Sequence, residues 1–235
     1  MVKPRSKSGA ALRRARGREE MRTAIIEVAR QIVAEKGAGH LTIRGIAQEL
    51  GYSAGSVYEY FEDKEAILDA LYFHGANGLG AVLDQMVSGL PAGISASEVL
   101  IELGHGYRRY ALEHDELYRL MFAGVKERPW SPSDDGDASP CGYGALLGVA
   151  QRGIDEGDFV QDVPAGAIAI AAWSAVHGFI SLELIGHVTH VSPTESPSTS
   201  AAEALQDRDC MFDILLHMIV RGFANQEDRT EPNAS

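Results

Sequence analysis

The sequence predicts an all-α protein, on three observations. Apolar residues recur three and four apart through most of its 235 residues, the spacing that lines one face of a helix. Strict alternation, the mark of a half-buried strand, is short and rare. Residues that cap or stop helices stand at the ends of the periodic runs.

The first helix is expected over residues 19–36, with Met21, Ile25, Ala29, Ile32 and Val33 as its apolar stripe and Gly37 as its stop. Thr42 then caps a short helix whose stripe is Ile43, Ile46, Ala47 and Leu50. That stripe leaves Arg44 and Gln48 pointing outward, and Gly51 supplies the backbone freedom for a tight turn. Ser53 caps a third helix ending near Phe61, and Asp63 caps a fourth that runs to about Met86 in spite of Gly75, Gly78 and Gly80. Later helices are expected over 97–113, 115–122, 143–156, 164–187 and 205–223. The Pro, Ser, Asp and Gly-rich stretches 128–140 and 192–200 read as loops, and the last dozen residues as a polar tail.

Net charge is −12, but it is unevenly spread. Residues 1–64 carry twelve Lys and Arg against eight Asp and Glu, and residues 1–18 carry seven bases and no acid. Everything after Lys64 holds nine bases and twenty-five acids. A polyanion would therefore meet this protein at its N-terminal end, because binding follows local charge rather than the bulk sum.

Residues 42–61 outline two short amphipathic helices joined by a turn at Gly51, the arrangement that braces one helix on a DNA backbone and presents the next to base edges. Val57 and Phe61, four apart, anchor the third helix. Ala54 and Tyr58 share another face, the one available for reading DNA. Gly55 permits close backbone approach there, and Ser53, Ser56, Tyr58 and Tyr60 bring hydroxyls able to donate to phosphate oxygens. Lys64 adds a cation at the start of the fourth helix.

The run LTIRGIAQELGYSAGSVYEYFEDKEAIL (residues 41–68) resembles the DNA-binding domain of TetR/AcrR-family transcriptional regulators, including that family's Tyr-x-x-Phe-x-x-Lys ending at Tyr58, Phe61 and Lys64. A second stretch, WSAVHG from Trp173 to Gly178, is similar to the Trp-x-x-x-His-Gly signature of one group of C-terminal domains in the same family. The resemblance implies a three-helix DNA head and a larger helical body that senses a ligand and dimerises. It also implies a homodimer on a palindromic double-stranded DNA operator and a repressor released by a small, largely apolar effector; the isolated Cys141 and Cys210 read as reduced thiols of a cytoplasmic protein.

In that frame the chain divides into a basic arm (1–18), the helix-turn-helix domain (19–64), the effector and dimerisation body (65–225) and a polar tail (226–235). Thr42, Arg44, Ser53, Ala54, Gly55, Ser56, Tyr58, Tyr60 and Lys64 are the DNA-binding candidates. Ala54 offers only apolar contact, and the Glu59 carboxylate repels phosphate but can accept from a cytosine amino group. Specificity then leans on Arg44, the arm and DNA shape.

In the body, His105, Tyr107, Tyr110, Trp173 and His177 combine apolar surface with a polar handle and are the candidate effector contacts. Phe212, Leu215, Leu216 and Ile219 follow helical periodicity and are assigned to a dimer interface with the 165–184 helix. Residues 165–182 hold no Asp, Glu, Lys or Arg, yet they are rich in Ala, Gly and Ser, contain His177 and lack basic flanks. They read as a buried or interface helix, with no membrane partner expected.

No nucleophile elbow, phosphate loop or HExxH helix is present, so no enzyme is expected. Two isolated cysteines and eight histidines without metal-ligand spacing call for no cofactor and no metal site. A metal-responsive regulator and a helix-turn-helix binder without an effector remain the alternatives.

Overall fold

The computed structural model describes residues 9–122, 140–190 and 207–225. All of its regular structure there is helical, apart from an isolated bridge between Phe159 and Ala224. The helices are α1 (Gly9–Lys36), α2 (Ile43–Leu50), α3 (Ala54–Tyr58), α4 (Lys64–Gly89), α5 (Ala96–Glu113), α6 (Asp115–Phe122), α7 (Tyr143–Glu156), α8 (Ala165–Leu184) and α9 (Arg208–Phe223). The described residues fall into two compact units, one within residues 1–75 and 116–128, the other within 76–115 and 129–235.

In the first unit, α1 begins ten residues before its expected start. The basic segment assigned to an arm is thus helical from Gly9. Arg, Ala and Glu are strong helix formers, and Arg16 pairs with Glu20 one turn on at 2.9 Å. The expected start followed the apolar stripe alone and so missed helix that has no core face. Inside the unit Ile25, Ala29, Val33, Leu41, Ile46, Val57, Phe61, Ile67 and Leu71 are buried together. Burial of such side chains contributes roughly 1.5–3 kcal/mol each, which offsets the ordering cost of short helices that would not form alone.

The second unit packs α7 on α8, α5 on α7 and α9 against α5 and α8. Its α5 starts with a capping box: Ser95 Oγ accepts from the Glu98 amide and Glu98 Oε2 accepts from the Ser95 amide. Asp158 reaches across to accept from the Ala96 amide at 2.9 Å, tying the loop after α7 to the head of α5. The expected 164–187 helix ends at Leu184 and is followed by a 3₁₀ turn, His187–His190. The expected 205–223 helix starts at Arg208, where Asp207 caps it. The loop segment 192–200, most of 128–140 and the tail lie outside the described residues.

One ionic cluster fastens three helices of this unit. Arg108 on α5 donates to both carboxylate oxygens of Glu183 on α8, at 2.8 and 2.6 Å, and to Asp209 on α9 at 2.7 Å. Glu183 is the one buried charged residue among those described. Its hydrogen bonds to the two carboxylates, that to Glu183 first, hold the Arg108 proton well beyond the ordinary guanidinium range.

Candidate nucleic-acid interface and effector cavity

The turn between α2 and α3 is built as the sequence indicates. Thr42 Oγ1 accepts from the Gly45 amide at 3.0 Å, Ser53 Oγ from the Ser56 amide at 3.2 Å, and Asp63 Oδ1 from the Ala66 amide at 2.8 Å. Gly51 takes a left-handed conformation (φ 73°), and the next amide, that of Tyr52, returns to the Ala47 carbonyl at 2.8 Å. This closure fits glycine because a Cβ disfavours that backbone region.

Burial sorts the DNA-binding candidates. Val57 and Phe61 point into the core, while Thr42, Arg44, Ser53, Gly55 and Tyr58 are exposed, Tyr58 to 56%. Ala54, Ser56, Tyr60 and Lys64 are half-buried on the same stretch. Ser53 and Ser56 also share a hydroxyl contact at 3.0 Å, so part of their capacity is spent on the cap.

Tyr60 differs from the expectation: α3 is only five residues long, so Tyr60 sits in the turn beyond it. There Arg18 lies 5.7 Å over its ring. Arg18 donates to the Glu59 carbonyl and Arg22 to the Tyr60 carbonyl, each at 3.2 Å, and Arg22 stacks at 4.2 Å on Phe61. These two arginines satisfy carbonyls that the end of a short helix leaves open. The Arg14, Arg18, Arg22 spacing of four is their signal in the sequence. Tyr52, exposed beside Ser53, is a further hydroxyl on this face.

In the second unit a cavity of about 40 Å³ lies among α4, α5, α7, α8 and α9. Its described lining is apolar and uncharged, and includes Leu83, Leu103, Tyr107, Trp173, Leu216 and Ile219. Gly104 also lines it, and a Cβ there would collide with Leu216, so glycine lets α5 and α9 approach. Trp173 Nε1 donates to the Tyr107 hydroxyl at 3.0 Å, and that oxygen lies 3.4 Å from His177 Nδ1. His177 is one step behind the cavity wall, where burial lowers its pKa and favours the neutral ring. Cys141 is also on the lining, and burial pushes its thiol up to about 11.

The cavity brings together Tyr107 and Trp173, with His177 behind them, but not the other two effector candidates. His105 faces Asp213 at 3.3 Å, with the Phe212 ring 5.7 Å away. Tyr110 is buried against His114, ring centres 4.6 Å apart. Both lie on α5, and period alone could not tell which of its faces borders the cavity.

None of the four residues expected at a dimer interface is exposed in the chain. Phe212 and Leu216 are buried within the protomer, Leu216 and Ile219 line the cavity, and Leu215 is half-buried. Helix α9 has two apolar stripes, and the exposed one is Ile214 and Met218, the latter 64% exposed. On α8 the large exposed apolar residues are Ile170 and Leu182, with Ala167 and Ala171 exposed as well. Helix α8 is long and apolar enough to cross a membrane by composition, and about a third of its apolar window is buried in the protomer. Among the described residues no three His, Cys, Asp or Glu side chains converge as metal ligands.

Two family models match the chain and together span more than half of it. Residues 25–71 match the bacterial regulatory proteins of the tetR family, and residues 100–208 match the tetracyclin repressor-like C-terminal domain. The chain is 25% identical over 230 residues to the uncharacterized HTH-type transcriptional regulator Rv0681 of Mycobacterium tuberculosis, covering 96% of this chain and 91% of that one. It is 27% identical over 155 residues to the HTH-type transcriptional repressor KstR2 of Rhodococcus jostii, covering 63% and 72%. A solved structure of a protein of unknown function from Rhodococcus sp. RHA1 superposes with a TM-score of 0.68 at 25% identity, covering 87% and 95%. With a capped helix-turn-helix and a helical body, each matched by a model of the same family, the chain belongs to the TetR family of helix-turn-helix transcriptional regulators.

Proposed function

We propose that the protein is a cytoplasmic repressor that binds a palindromic operator as a homodimer and leaves it when a small, largely apolar ligand enters the cavity of the second unit. The exposed face of Thr42, Arg44, Ser53 and Tyr58 supports this most directly. Its hydroxyls and cation stand outward from a core that fixes the α2–α3 angle, as a surface for phosphates and groove edges requires. The likeness to a repressor, KstR2, favours repression over activation. The exposed apolar residues of α8 and α9 support a two-fold dimer, because a dimer would cover them.

The cavity argues for the ligand class. Its described lining carries no charge and few polar atoms, those of Tyr107, Tyr143, Trp173 and Cys141, so it suits a largely apolar molecule. At about 40 Å³ it holds on the order of three waters, whereas drug-sized ligands fill roughly 300 Å³ or more. Entry therefore displaces lining side chains such as Leu83 and Leu216. Helix α4 is continuous from Lys64 to Gly89, so the element that contributes Leu83 to the cavity also carries Lys64. A ligand that prefers the widened form lowers operator affinity by the coupling energy, typically about 1–3 kcal/mol or 5–150-fold.

The test is duplex binding by fluorescence anisotropy across a salt series. Lys64→Ala should weaken binding to all sequences and reduce the log–log salt slope by about 0.9 for each bound protomer. Affinity and slope equal to wild type would remove the phosphate role from this face.

A further inference from the structure

The family match opens at residue 25, yet α1 begins at Gly9, so about four turns of helix precede the matched domain. These turns hold Arg13, Arg14, Arg16 and Arg18 and no acid before Glu19. All four arginines are exposed. Helical charge of this density is usually a solvated surface, but here it is fixed to a functional element. Arg18 and Arg22 clamp the carbonyls of Glu59 and Tyr60 at the end of α3, and Arg14 continues the same stripe one turn further out. An open groove lined by Arg14, Ala15, Gly17, Arg18, Glu59 and Tyr60 lies between the extension and the turn that follows α3. Arg13 and Arg14 form no ion pair among the described residues, whereas Arg16 is engaged with Glu20.

We propose that the N-terminal turns of α1, carrying Arg13 and Arg14 and held to the end of α3 by Arg18 and Arg22, form a second phosphate-binding surface that grips the DNA backbone outside the bases α3 reads. The inference rests on the DNA-binding role of α3. Its occupant follows from charge and from continuity: the surface is cationic, adjoins the reading helix, and meets the polyanion that helix engages. The Glu59 carboxylate at the groove's edge is a single opposing charge. Because the contacts go to phosphates, they add affinity and salt dependence without sequence preference.

The experiment compares wild type with Arg13→Gln/Arg14→Gln and Arg13→Lys/Arg14→Lys, all full-length. The probe is the duplex that wild type enriches from a random library, with ten extra base pairs on each side. Gln and Lys both form helix well, and circular dichroism verifies that α1 is retained. The Gln pair should lower the salt slope by about 1.8 for each bound protomer, while the Lys pair keeps it. On a duplex trimmed to the enriched bases, wild type and the Gln pair should converge. Equal slopes on the long duplex would overturn the proposal, as would loss in the Lys pair or an undiminished difference on the trimmed duplex. Failure of wild type to bind any duplex would instead remove the α3 reading, and this surface with it.

Discussion

Removing Glu183 should destabilise the protein far more than removing its neighbour Asp209. In the Arg108 cluster, the Glu183 side chain is 3% exposed and that of Arg108 12%, whereas Asp209 is 80% exposed. Glu183→Ala strips both hydrogen bonds from one edge of a guanidinium that stays mostly out of water, and such orphaned charges cost about 3–5 kcal/mol. The retained Asp209 contact relieves part of that, so the lower end, about 3 kcal/mol, is the expected loss. Asp209→Ala removes only a solvent-screened partner and should cost about 0.2–1 kcal/mol. Replacing the buried pair together, Arg108→Met with Glu183→Leu, should recover most of the loss, because apolar side chains of similar size avoid the desolvation cost. Urea unfolding followed by circular dichroism reads all four proteins, with the slope m checked for two-state behaviour. A Glu183→Ala loss below 1 kcal/mol, or a double variant as unstable as the single, would refute the view that this pair acts as a buried charge.

Met218→Glu should yield monomers by analytical ultracentrifugation with the helical spectrum intact, whereas Leu216→Glu should unfold the second unit by placing a charge in its core. A dimeric Met218→Glu protein would move the interface elsewhere. At pH 7.5 iodoacetamide should label half-buried Cys210 well before Cys141, because burial both shields the Cys141 thiol and raises it to about 11. Equal labelling in a peptide map would contradict that burial. Burial lowers the His177 pKa below its ordinary 6.5, so the unfolded chain takes the proton more readily. The stability this residue contributes is therefore complete above about pH 6.5 and declines as pH falls toward its folded value. Urea midpoints between pH 7.5 and 5 should fall more steeply for wild type than for His177→Gln, and identical slopes would show that His177 is not responsible.

The head was more legible in the sequence than the body, for a physical reason. Its stops and caps are local chemistry: Thr42, Ser53 and Asp63 each accept the amide three residues on, and Gly51 supplies the one backbone state the turn needs. Helix α1 outruns its sequence signal where it lacks a core face, and the role of Arg18 and Arg22 depends on a contact made some forty residues away. In the body, periodicity located α5, α8 and α9 but could not say which face met the protomer's own core. Period alone therefore gives no sign that Phe212 and Leu216 face the chain's own core, or that of the α5 aromatics Tyr107 lines the cavity and Tyr110 does not.

The most direct test of the account is selection of bound duplexes from a random-sequence library by the full-length protein, followed by footprinting of the enriched sequence. The account predicts an inverted repeat whose half-sites lie one helical turn apart, about 34–36 Å, or a multiple of it. Tyr58→Ala and Lys64→Ala should weaken its retention while Met218→Glu reduces occupancy to single half-sites. Enrichment of no sequence, or of a sequence retained equally by wild type, Tyr58→Ala and Lys64→Ala, would contradict it.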